Sequence, residues 1–195
     1  MSGRVPPAKL VVGVTGASGA PYARRLLDVL APHAAGGALE LAVCASENAG
    51  EVWALECGGE LRAQVVGRVW EGRDFLAPFA SGSAGWDAMV VVPCSMCTLA
   101  KIAHGIADSV LLRAADVMLK ERRPLVLVPR ETPLSLVHLE NMAQATRAGA
   151  TILPAMPSFY GAPRTVQDLV DTVVARTLDH LGIAHQLSRP WGASP

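Results

Sequence analysis

Leu119-Lys-Glu-Arg-Arg-Pro-Leu-Val-Leu-Val-Pro-Arg-Glu-Thr-Pro133 packs a helix end, a strand and a polar loop into one short stretch. Pro124 has no amide hydrogen to offer, so it stops the basic helix before it. Leu125 to Val128 is a short aliphatic run, the mark of a strand buried on both faces. In an open α/β sheet, ligands bind just beyond the carboxyl ends of the strands. Arg130 and Glu131 stand there, where one group can hold an anion and the other can move a proton. An anionic small molecule is the ligand class this arrangement favours.

The same alternation extends in both directions. Lys9-Leu-Val-Val-Gly-Val-Thr15 is a first buried strand, and Pro21 suits the first turn of the helix after it. Tyr22, Leu26 and Leu30 give that helix an apolar stripe. Leu39 to Cys44 reads as a second strand, Glu47 to Glu56 as a helix, and Gln64 to Trp70 as a third strand. Residues 71–86 look irregular. Ala88 to Val92 is a strand ended by Pro93, with helix from Ser95 to about Arg123, broken near Gly105. Thr132 and Pro133 read as the cap and first turn of a further helix. Thr151 to Leu153 is a last strand, and Thr165 with Asp168 forms a capping box for a helix to Leu181. The expected fold is α/β: a single doubly wound, Rossmann-like domain over 1–195 with a mostly parallel sheet. Its core spans about 9–183, and the tail 184–195 has no periodicity.

Bulk composition narrows the function. Lys plus Arg and Asp plus Glu are both 17 in 195 residues, so the formal charge is zero. A nucleic-acid tracker or polybasic membrane binder needs a positive face instead. A hydrophobic share of 51% implies apolar surface buried between subunits. The sequence lacks an apolar run long enough for a membrane span and a signal-peptide pattern, so a cytoplasmic protein is expected. Cys94 and Cys97 have redox or metal-pair spacing, but Cys44 and Cys57 are too far apart to complete a zinc site. Reduced cysteines and no metal are expected.

Gly16-Ala-Ser-Gly-Ala20 opens the first helix, where free amides attract an anion. It is neither a dinucleotide GxGxxG nor a nucleotide P-loop. A tight turn with a serine cap is the alternative, and its place after the first strand favours phosphate binding. Pro93-Cys-Ser-Met-Cys-Thr98 repeats the arrangement after an inner strand. Arg113, Asp116 and Lys120 share one helix face, as a solvated ion ladder or as anion ligands. Arg176 lies at the edge of an apolar stripe and must snorkel or find a partner. Tyr160 sits on a loop after the last strand and could offer a phenol to the same anion.

Taken together, these segments resemble the flavin prenyltransferases of the UbiX family. The likeness rests on Gly16 to Ala20, Ser81-Gly-Ser83, Pro93-Cys-Ser95, Arg113-Ala-Ala-Asp116, Leu119 to Pro133, His138-Leu139, Gly149-Ala150, Phe159-Tyr160 and Val174-Ala-Arg176. It implies a homo-oligomer, commonly a dodecamer, with FMN bound between subunits. It also implies transfer of a dimethylallyl group from dimethylallyl monophosphate to N5 and C6 of reduced FMN, without metal. The prenylated FMN would serve a UbiD-type decarboxylase. By position, Gly16, Ala17, Ser18, Ser46, Ser95, Met96, Cys97, Thr98 and Arg130 would hold FMN. Arg113, Lys120, Arg130, Tyr160 and Arg176 would grip the substrate phosphate. Ser18, Glu56, Lys120 and Glu131 would be catalytic. Cys97 stands where relatives carry Lys or Gly, Phe75 where some carry Trp, and Arg189-Pro-Trp191-Gly192 is a looser match with a lid role. A flavin-dependent cysteine decarboxylase shares the fold, but the Pro93 segment lacks that group's Asn. A flavodoxin-like FMN carrier would be strongly acidic.

Overall fold

The computed structural model describes residues 5–65 and 67–188. Among them, six strands form one all-parallel sheet: β1 (Lys9–Val14), β2 (Glu40–Ala45), β3 (Val69–Glu71), β4 (Ala88–Cys94), β5 (Leu125–Pro129) and β6 (Thr151–Ile152). Their order is β3-β2-β1-β4-β5-β6. The chain leaves β1 towards β2 and returns to β4 on the other side, so the topological switch point lies between β1 and β4.

Period-two alternation assigns each strand's side chains to two cores. Leu10, Val12 and Val14 of β1, Val90 and Val92 of β4, and Val126 and Val128 of β5 face one layer. That layer holds helices α1 (Ala20–Ala35), α2 (Ala49–Cys57) and, after others, α7 (Val166–Leu181). Val11, Met89, Val91, Leu125 and Leu127 face the other layer, beneath α4 (Met96–Ala103), α5 (Val110–Lys120) and α6 (Leu136–Arg147). Each fully buried aliphatic side chain contributes roughly 1.5–3 kcal/mol. The second core is completed by edge-on stacking of Phe79 against Trp70 and Trp86.

Several boundaries differ from expectation. The third strand starts at Val69, because Leu61–Gln64 closes a helical turn, α3, around the buried Leu61. β4 runs through Pro93 to Cys94, with a register shift against β5 after Val91. Thr132 and Pro133 do not open α6. Ser135 does, since its hydroxyl accepts from His138 N while His138 Nδ1 accepts from Ser135 N. The box at Thr165 and Asp168 forms as expected, and the helical run breaks between α4 and α5. Residues 184–188 are irregular, and the Arg189 to Gly192 match lies outside the described residues.

Candidate active site at the carboxyl edge of the sheet

Loops after β1 and β4 flank the switch point and are stitched together by one buried hydroxyl. Thr15 Oγ1 donates to Pro93 O at 2.7 Å and accepts from Ser95 N at 2.9 Å. The sequence reading missed Thr15; its signal was a lone hydroxyl closing an aliphatic strand. Ser95 caps α4, accepting from Thr98 N and donating to Thr98 Oγ1. Gly16 N donates to Ser46 Oγ at 3.1 Å. A Cβ on Gly16 would lie 2.7 Å from Asn48 Cβ, so this loop approaches the start of α2 as closely as glycine allows.

Glu56 reaches across from α2 to the start of α1. Its Oε2 accepts from Gly19 N and Ala20 N, both at 2.8 Å. Burial is the largest influence on this carboxyl and pushes its pKa up. The Ser18 hydroxyl, those two amides and the Arg130 charge outweigh it, so the group titrates below the ordinary range. A carboxyl depressed in the folded state contributes fully above its unfolded value and loses that contribution as pH falls through the folded one. Glu56→Gln is therefore expected to lower Tm at neutral pH and to converge on the parent protein in acid. A gap that persists in acid would assign the loss to something other than the charge.

Arg130 follows β5 and donates from Nε to Ser18 O at 2.9 Å, while its amide bonds Cys94 O. Tyr22, read from sequence as part of an apolar stripe, lies beside Gly19 and feels Arg130. Burial raises its phenol, and the Arg130 charge opposes that. Glu131 is exposed next to Arg130, its Oε1 accepting from Thr132 N. Thus Gly16, Ala17, Ser18, Ser46, Ser95 to Thr98, Arg130 and Glu131 sit on the loops or first helical turns at one edge, and Glu56 reaches the same edge from the last turn of α2. Among the described residues, no acceptor takes the amides of Ala17, Ser18, Met96 or Cys97. Two sets of unspent amides at helix starts fit a phosphate-bearing ligand.

The remaining candidates lie elsewhere. Lys120 ends α5 and pairs with Glu121, while Arg113 binds Ala80 O at 3.0 Å and Asp116 at 2.6 Å. Arg123 adds a bond to Gly82 O, so the loop around Gly82 lies along α5. Lys120 precedes β5 and Arg130 follows it. Five parallel residues span about 16 Å, so one chain holds these two cations at opposite edges. Tyr160 and Arg176 form a third group. Ser158 N donates to Thr172 Oγ1, which fixes the Tyr160 loop one turn from Arg176 on α7. Arg176 binds Asp179, the partner its position demanded.

Cys44 and Cys94 are buried, with burial pushing both thiols up; Cys57 is half-buried and Cys97 exposed, all as free thiols. Phe75 is part-exposed with Arg73 over its ring. Among the described residues, no group of His, Cys, Asp or Glu is placed to hold a metal, and no helix is long and apolar enough to cross a membrane.

Comparison with known proteins identifies the family. The Flavoprotein family model matches residues 2–178. Flavin prenyltransferase UbiX of Pseudomonas aeruginosa is 45% identical, over 95% of each chain. The crystal structure of a dodecameric FMN-dependent UbiX-like decarboxylase from Escherichia coli O157:H7 superposes with TM-score 0.89. It is 45% identical and covers 95% of this chain and 100% of that one. AnUbiX (PadA1), solved with FMN and dimethylallyl pyrophosphate, also gives TM-score 0.89 at 41% identity, over 96% and 98% of the two chains. With a glycine-serine loop at the switch point, an arginine and a glutamate beyond β5, and identity of this extent along the whole fold, the chain belongs to the UbiX family of flavin prenyltransferases.

Proposed function

We propose that this protein joins the dimethylallyl group of dimethylallyl monophosphate to N5 and C6 of reduced FMN. The prenylated FMN would serve a UbiD-type decarboxylase. The observation that carries this reading is the cluster at the carboxyl edge. There Arg130 holds the Ser18 carbonyl, Glu56 holds the start of α1, and Glu131 projects beside them. Gly16, Ala17, Ser18, Ser46, Ser95, Met96, Cys97, Thr98 and Arg130 would bind FMN, whose reduced ring supplies the nucleophilic atoms.

Arg113, Lys120, Arg130, Tyr160 and Arg176 would hold the substrate phosphate. Each charge-assisted hydrogen bond contributes about 1.5–3 kcal/mol, so several together stabilise a departing phosphate as a cation would. Glu131 takes the proton that C6 gives up, with Ser18 and Glu56 passing protons nearby. Because Lys120 and Arg130 stand at opposite edges of one sheet, one phosphate meets both only when a second copy brings its α5 end to this edge. Exposed Leu136 and Val137 on α6, and Met156 and Phe159 before Tyr160, offer apolar surface for that association. The E. coli relative is a dodecamer, and a homo-oligomer of this kind is the assembly proposed here.

The test is anaerobic mixing of the protein with reduced FMN and dimethylallyl monophosphate. Stoichiometric phosphate release with a changed flavin spectrum is expected; intact substrate after many minutes would refute the reading. A finer test uses Gly82. A Cβ there would collide with Glu121 Oε1 and lie 2.9 Å from Lys120 Nζ, both flexible ends that can swing away. Gly82→Ala is expected to cost stability under about 1 kcal/mol while raising KM for dimethylallyl monophosphate about tenfold, because Lys120 is displaced. Steady-state kinetics alongside a thermal melt separates the two effects.

A further inference from the structure

The carboxylate of Asp179 meets both an arginine and a histidine. Arg176 Nη1, one turn earlier on α7, donates to Oδ2 at 2.7 Å. His185 Nε2 lies 3.1 Å from Oδ1. Gly182 ends α7 in the left-handed region, which turns the chain back so that His185 meets the helix it has just left. The His185 side chain is 8% exposed, and its Nδ1 accepts from Leu187 N at 3.3 Å. A ring nitrogen that accepts from an amide carries no proton, so Nε2 carries it and donates to Asp179. The result is a chain of hydrogen bonds from a buried histidine, through a half-exposed carboxylate, to an exposed guanidinium.

We propose that Asp179 is a positioning residue that presents Arg176 to the phosphate of an allylic monophosphate, and that His185 pins Asp179 for this task. The proposal rests on the reading that Arg176 grips the substrate phosphate. An arginine side chain loses rotamer freedom when it is fixed. With the Arg176 side chain 60% exposed, that cost would otherwise fall on substrate binding. Asp179 engages Nη1, and Nε with Nη2 make up the other fork of the guanidinium, a geometry that suits a phosphate. Asp179 is itself 44% exposed, so a bond to a buried group narrows its motion. The His185 N–H supplies such a bond from a nearly buried ring. The carboxylate also draws some charge away from the guanidinium, but water screens a pair this exposed, so orientation is the larger effect.

A double-mutant cycle on the full-length, FMN-loaded protein tests this. Its two readouts are calorimetric binding of inorganic phosphate and steady-state kinetics with dimethylallyl monophosphate. Asp179→Ala is expected to weaken phosphate binding and raise KM about threefold to fivefold, with kcat and FMN affinity unchanged. In an Arg176→Ala background the same change should do nothing. His185→Ala should reproduce part of the loss, and His185→Gln, which keeps an N–H donor, should restore it. An equal loss in the Arg176→Ala background, a parallel loss of FMN affinity, or tighter phosphate binding in Asp179→Ala would each overturn the proposal. If the parent protein binds phosphate but releases none from dimethylallyl monophosphate, the prenyl-transfer reading fails, and the calorimetric cycle still decides the role of Asp179.

Discussion

Glu131→Gln is expected to keep FMN and to slow prenyl transfer by about a hundredfold to ten-thousandfold, the range for removing a general base. The amide preserves the side chain's shape and can still accept from Thr132 N. What it loses is the capacity to take a proton at neutral pH. Arg130, on the neighbouring position, keeps its own bond to Ser18 O, so the flavin edge should stand. Flavin titration gives the binding constant, and single-turnover absorbance gives the rate. A variant with parent-like turnover would remove Glu131 from the chemistry.

Arg176→Ala carries the second large effect. Loss of a charge-assisted bond of about 1.5–3 kcal/mol corresponds to roughly a tenfold to hundredfold rise in KM for dimethylallyl monophosphate. FMN affinity should not move, because Arg176 lies on α7, outside the loops that flank the switch point. Stability should change little, since the side chain is exposed and its bond to Asp179 is a surface pair. Equal losses for flavin and substrate would make the residue structural.

Strand positions were readable where aliphatic runs are buried on both faces, as in β1, β4 and β5. β3 was harder to read because it is three residues long, lies at the sheet edge and follows a helical turn made by Leu61. The start of α6 was misplaced because Thr132-Pro133 looks like a cap and first turn, whereas Ser135 and His138 close the reciprocal box. Among the candidate site residues, the position of the carboxyl-edge group was legible, since glycine and hydroxyl residues directly after apolar strands mark the strand-to-helix turns at that edge. Thr15 was not, because nothing local distinguishes its bridge to Pro93 and Ser95 from a strand end. Nor could the sequence say at which edge Lys120 falls. The connection from α5 to β5 decides that, and it separates Lys120 from Arg130 by the length of a strand.

That separation makes the proposed phosphate site a property of two chains, which can be measured. Lys120→Ala and Glu131→Gln chains, each inactive alone, can be co-expressed and purified as mixed oligomers through two different tags. If Lys120 and Glu131 act in one site from different protomers, about a quarter of the sites regain both residues, and phosphate release should recover to that extent. Mixed oligomers with no more activity than either parent variant would mean that both residues must come from the same chain, and the shared site proposed here would be wrong.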